Sequence, residues 1–83
     1  MHSYTEENYI KAIYKLSENG TQEVNTNAIA EVLDTKAASV TDMLRKLSGK
    51  NIVNYVKYRG VTLTDEGERI ALQIIRKHRL WEV

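Results

Sequence analysis

The sequence predicts a mainly helical domain that carries one small β-hairpin. Three observations lead to this class. Apolar residues recur at i, i+3 and i+4 spacing through most of the 83 residues, the period of an amphipathic helix. Two such stretches stand close together, with Ala30 and Val40 only ten residues apart, which leaves room for nothing but a sharp bend. One segment, "VNYVKYRGVTLTDEG" from Val53 to Gly67, breaks the pattern: two short β-type runs flank Tyr58, Arg59 and Gly60.

Each element has local reasons. The first helix is expected from about Thr5 to Glu18, with Thr5 as its cap, Glu6 and Glu7 at its positive end, and Asn19-Gly20 as its stop. Ile10, Ile13 and Tyr14 form its apolar stripe. Thr26 or Asn25 caps a short second helix whose inward residues are Ile29, Val32 and Leu33. After "DTKA" a third helix runs to about Leu47, with Val40, Met43, Leu44 and Leu47 inward. Thr64, Asp65 and Glu66 open a fourth, on which Ile70, Ile74, His78 and Trp81 share a face.

The second and third helices have helix-turn-helix spacing. Small Ala30 permits close helix contact, while Leu33, Val40 and Met43 fill the angle. Asp34 stands where a turn glycine is usual, and aspartate tolerates left-handed geometry. A hairpin follows at once. Its three-residue loop closes on Gly60, Val61 and Leu63 face the core, and Thr62 faces out. The sum is a winged helix-turn-helix: a three-helix core, a two-stranded wing and a long C-terminal linking helix. A cationic, aromatic wing tip, Tyr58 and Arg59, suits a phosphate or a minor groove.

Composition narrows the function. A chain of this length buries roughly 60–65% of its unfolded surface, enough for one small domain. Hydrophobic residues make up 42% and charged residues 28%, the balance of a globular domain. The absence of cysteine excludes disulfides and thiolate metal sites. No apolar run approaches the ~20 residues that span a bilayer, and the charged N-terminal segment is unlike a signal peptide, so a cytoplasmic location is expected. The net charge is +1, but basic residues cluster at "RKLSGK", "KYR" and "RKHR". Such patches on a near-neutral chain suit one anion-facing side.

"YTEENYIKAIYKL", "IAEVLDTKAASVTDMLRKLSGKNIV", "YVKYRGVTLTDEGERIA" and "IIRKHRLWEV" together resemble the diphtheria toxin repressor and manganese transport regulator family of metal-dependent bacterial repressors. The resemblance covers essentially the whole chain. It implies that residues 1–64 form the N-terminal winged-helix DNA-binding domain and that 65–83 begin a helix leading to a dimerisation domain absent from this chain. It implies a repressor of metal-ion homeostasis genes that binds a palindromic double-stranded operator as a homodimer, with iron or manganese as cofactor. Val83 falls in mid-helix without a stop signal, as in an excised or truncated domain.

The third helix is then the recognition helix. Ala38, Asp42 and Arg45 lie opposite its apolar stripe, flanked by Ser39, Thr41 and Lys46. Ala38 offers a methyl contact, as to thymine, and Ser39 a donor to a base edge or phosphate. Asp42 can accept from a cytosine amino group or hold Arg45 one turn on; relatives often carry a polar, uncharged residue there. Lys36, Thr26 and Asn27 suit phosphates. The family's metal ligands carry over in part. Asn8 stands at the first-helix ligand position, Lys11 stands where manganese-type members have glutamate, and His78 and Glu82 survive one turn apart. The remaining ligands would lie beyond Val83, so the segment alone is expected to hold no metal tightly.

Two other classes compete. A winged helix can serve as a protein-interaction module without DNA binding. An enzyme would need a nucleophile, a phosphate loop or a paired-carboxylate pocket; Glu6-Glu7 and Asp65-Glu66 are adjacent helix-start acids that the helix dipole explains, so catalysis is not expected.

Overall fold

Ser3 opens the first helix. In the computed structural model, which describes residues 3–18, 22–56 and 59–82 (backbone alone for 78–82), the Glu6 amide donates to Ser3 Oγ at 3.1 Å. The Ser3 hydroxyl in turn lies 3.3 Å from Glu6 Oε1. Ser3 is therefore the N-cap of the helix, in place of the expected Thr5. Helix α1 therefore spans Tyr4–Leu16 and closes at Ser17; Glu18 already has a left-handed φ of 51°. Asn19-Gly20 lies outside the described residues.

Helix α2 spans Thr26–Val32, and its cap is Asn25, whose side chain accepts from the Asn27 amide at 2.7 Å. Asp34 adopts φ 52°, the left-handed turn expected of it, while the Thr35 amide returns to Ala30 O at 2.9 Å. Helix α3 follows over Ala37–Gly49 with Val40, Leu44 and Leu47 buried and Met43 packed beside them. Val32 corrects the expectation for α2, because its side is 58% exposed. At about 100° per residue, Leu33 lies ~40° from Ile29 on the side of Ala30, whereas Val32 lies ~60° the other way. A two-turn helix buries only the arc that meets its neighbours.

The wing is strand β1, Val53–Val56, paired antiparallel with β2, Gly60–Leu63. Its register sets Val53 against Leu63, Asn54 against Thr62, Tyr55 against Val61 and Val56 against Gly60. Val61 and Leu63 are buried and Thr62 is half-buried, as the period-two reading expects. Val24 adds a single antiparallel bridge to Val61 on the other side. Gly60 makes this possible. Its φ is +143°, and a Cβ would stand 2.6 Å from Val24 O.

Thr64 Oγ1 accepts from the Gly67 amide at 2.9 Å and starts α4, Asp65–Glu82. The same hydroxyl lies 2.8 Å from Asn51 O and 3.0 Å from Ile52 O, which fastens the helix start to the end of α3. A Cβ on Gly67 would overlap the Ile52 carbonyl oxygen, so only glycine lets α4 approach this closely. Its buried residues are Gly67, Ala71 and Ile74, with Ile70 half-buried; the side chains of His78 and Trp81 lie outside the described residues.

The core is one cluster in which Tyr9, Ile10 and Ile13 of α1 meet Ile29, Val40, Leu44, Leu47, Val61, Ala71 and Ile74. Helix α1 lies at its centre and packs on α2, α4 and β2, while α3 packs on α2 and β1. No helix among the described residues is long and apolar enough to cross a membrane.

Candidate nucleic-acid interface

The outward face of α3 follows from its inward one. Burying Val40, Leu44 and Leu47 forces Ala38, Ser39, Asp42, Arg45 and Lys46 into solvent, and all five are exposed. Lys36, the residue before the helix, is exposed and makes no side-chain cap bond. The first-turn N–H groups of α3 therefore meet no capping side chain, which suits an anion. Thr41 is half-buried, and its hydroxyl donates to Ala37 O at 3.1 Å. That bond turns Thr41 back onto its own helix.

Asp42 and Arg45 do not pair. Both are described and exposed, yet no ion pair joins them. An i, i+3 pair of exposed side chains gains little over solvation, so Arg45 extends freely. Lys46 leans the other way, its Nζ 4.0 Å from Glu6 Oε1.

Beyond α3, the start of α2 and the wing come together. Asn25, Thr26, Asn27, Arg59 and Gly60 line a cleft of about 180 Å³. Thr26 is half-buried and Asn27 exposed. The Arg59 amide donates to Val56 O at 3.0 Å, closing the hairpin, and its guanidinium Nη2 lies 3.4 Å from Glu23 Oε2. Tyr58 lies outside the described residues.

Below this surface, α1 braces the helices with acids that the helix dipole alone had been expected to explain. The Glu6 side chain is 6% exposed, and its Oε2 accepts from Lys50 Nζ at 2.7 Å. Its carboxyl is held below the usual range by the Lys50 hydrogen bond, an effect that burial opposes and the Lys50 charge, the Ser3 contact and Lys46 reinforce. Glu7 is likewise buried and meets Lys77 of α4 at 3.3 Å. The Ser3-x-x-Glu6 spacing was a readable sign that Glu6 turns toward the cap; nothing local marked its partner.

The metal-ligand candidates are only partly brought into view. Asn8 is half-exposed and lines a cleft of about 290 Å³ with Thr5, Tyr9, Leu33, Asp34 and Thr35. It faces the α2–α3 turn. Lys11 is half-buried, and the side chains of His78 and Glu82 lie outside the described residues. Among the described residues no cluster of three or more His, Asp or Glu could hold a metal ion. One amide oxygen does not make a site for a hard divalent cation.

An exposed α3 face beside a hairpin with a cationic end is a shape that known proteins share. The profile described as "Iron dependent repressor, N-terminal DNA binding domain" matches residues 1–61. The chain belongs to the iron-dependent repressor family. Among similar relatives is the HTH-type transcriptional regulator MntR of Oceanobacillus iheyensis, 41% identical over 92% of this chain and 51% of that protein. MntR of Bacillus subtilis is 40% identical over 92% and 53%. The chain thus spans about half the length of these relatives. Among solved structures, the manganese regulator SloR superposes with a TM-score of 0.74 at 37% identity, over 90% of this chain and 34% of that one. A protein from Archaeoglobus fulgidus reaches a TM-score of 0.82 over 100% and 93%, at 22% identity, which speaks for the winged-helix fold alone.

Proposed function

We propose that this chain is the DNA-reading unit of a metal-dependent transcriptional repressor of metal-ion homeostasis genes. The reading rests above all on the outward face of α3, where Ala38, Ser39, Asp42 and Arg45 stand exposed on a helix whose other face is locked in the core. The first turns of α3 enter the major groove. Arg45 has the reach and the fork geometry for guanine O6 and N7, Ser39 and Asp42 offer a donor and an acceptor to base edges, and Ala38 a methyl contact. Lys36, Thr41 and Lys46 serve the backbone beside them. Thr26, Asn27, Tyr58 and Arg59 take the phosphates or minor groove next to the site.

In the complete regulator, residues 65–83 lead from the winged-helix unit of 1–64 toward a dimerisation domain, and two copies address a palindromic operator. SloR, a manganese regulator by description, and the iron-dependent repressor family model support a divalent cofactor, iron or manganese, for the complete regulator. Asn8, His78 and Glu82 are this segment's share of the ligands.

The test is selection of duplexes from a random pool, followed by anisotropy titrations of the winner and a scrambled duplex at several salt concentrations. A DNA reader shows a preferred sequence and an affinity that falls steeply with salt. No enrichment and no salt-dependent binding would refute the reading in favour of a protein-docking module.

A further inference from the structure

The hairpin's cation is not left open to solvent alone. Val24 and Val61 exchange two backbone hydrogen bonds, Val24 N to Val61 O at 2.8 Å and Val61 N to Val24 O at 3.0 Å. The close approach that Gly60 permits brings the segment before Val24 alongside the end of the wing. Glu23 is thereby set next to Arg59, with Oε2 3.4 Å from Nη2. The side chains remain 42% and 69% exposed, so the pair adds little to the fold. Arg59 itself lines the cleft it shares with Asn25, Thr26, Asn27 and Gly60, and it is the charged residue among those lining residues.

A guanidinium that binds a phosphate through its fork of donors must turn those donors from any carboxylate it already serves. The carboxylate also repels the incoming phosphate. We infer that Glu23 is a counter-charge that sets the DNA affinity of the wing: it occupies Arg59 in the free domain and yields it to a backbone phosphate on binding. The inference rests on the DNA-binding reading above. A phosphate contact carries no base information, so Glu23 restrains binding to every duplex and keeps the domain from settling on random DNA. When Arg59 is released, Glu23 regains a cation atmosphere, which offsets part of the counterion release that accompanies binding.

The experiment is anisotropy titration of a random-sequence duplex and of the selected duplex, over a salt series, with wild type, Glu23→Gln, Arg59→Ala and the double variant. Glu31→Gln, the same charge change on an exposed residue of α2, reports the general effect of removing an acid. Glu23→Gln should tighten both duplexes about two- to five-fold, the scale of one exposed ion pair, and steepen the salt slope by up to about one unit. In the Arg59→Ala background the same change should do no more than Glu31→Gln does. Equal tightening in both backgrounds overturns the inference, as does weaker binding by Glu23→Gln, which would make the carboxylate a support for Arg59 in the complex. Wild-type protein that binds neither duplex refutes the DNA-binding reading itself, a result separate from the behaviour of the variants. The free domain supplies a readout independent of DNA: the Arg59 side-chain Nε resonance must shift in Glu23→Gln, and an unmoved resonance also overturns the inference.

Discussion

Lys50, the C-cap residue of α3, donates to the buried Glu6 carboxylate on α1 at 2.7 Å. The Ser3 hydroxyl, which caps α1, also lies 3.3 Å from Glu6 Oε1, so one carboxylate meets both the start of α1 and the end of α3. Beside it, Glu7 meets Lys77 of α4. Two consecutive acids of α1 therefore reach two different elements, the end of α3 and α4.

The depressed pKa of Glu6 makes stability depend on pH in a defined direction. The folded pKa is below the unfolded value of 4.5, so the folded state favours the carboxylate. Its contribution is fully present above that unfolded value and is lost as pH falls through the folded pKa. Glu6→Gln should flatten this acid limb and cost about 1.5–3 kcal/mol near neutrality, the range for hydrogen bonds to charged groups. Urea denaturation across pH 2–7 (a range set by carboxylate titration) measures it. An unchanged acid limb in the variant would show that other carboxylates set it.

Gly67→Ala should be among the more damaging conservative changes. The added methyl meets a backbone carbonyl, Ile52 O, and comes within 3.1 Å of Leu63 Cδ2. Backbone cannot rotate aside as a side chain does, so the start of α4 must move. A loss of about 1–3 kcal/mol is expected from overpacking, against the slight gain alanine would bring in an open helix. Equilibrium denaturation of Gly67→Ala beside Gly49→Ala, where nothing lies within 4 Å, separates the two effects.

Arg45 and Arg59 should contribute to DNA affinity through different terms. Arg45→Ala is expected to weaken the selected duplex by ~1–3 kcal/mol and a scrambled one far less, as for a base contact. Arg59→Ala should weaken both alike and lower the salt slope by about one unit. Titrations that found either variant behaving like the other would exchange their roles.

Valency is expected to dominate the total. One domain of this size offers few phosphate and base contacts, so the segment alone should bind weakly. Joining two copies through a short coiled coil, in place of the proposed dimerisation domain, should tighten palindromic DNA by about 10²–10⁴-fold through effective concentration. Equal affinities for the single and joined forms would count against a two-fold mode of binding.

The segment should also take up Mn²⁺ or Fe²⁺ weakly, because the three ligands proposed for it, Asn8, His78 and Glu82, are fewer donors than a six-coordinate ion prefers. Calorimetry on the segment, the complete regulator and its His78→Ala variant decides this. Tight uptake by the segment, or unchanged uptake by the variant, would disprove it.

The sequence by itself determined what local chemistry determines. The left-handed turn at Asp34 and the inward stripe of α3 each depend on residues within a turn or two of one another. Order along the chain then specifies a helix-turn-helix with a wing, and that order also placed Arg45 and Arg59 on the surface. Tertiary structure decided which charges are spoken for. Glu6 finds Lys50 across 44 residues and Glu7 finds Lys77 across 70, while Glu23 reaches Arg59 only because a single backbone bridge brings their segments together. Val32 satisfied the helical period and still faces solvent, because the width of a buried stripe is set by the neighbours that cover it. Periodicity reports a residue's angle on its own helix, and burial and ion pairing depend on what packs against that angle.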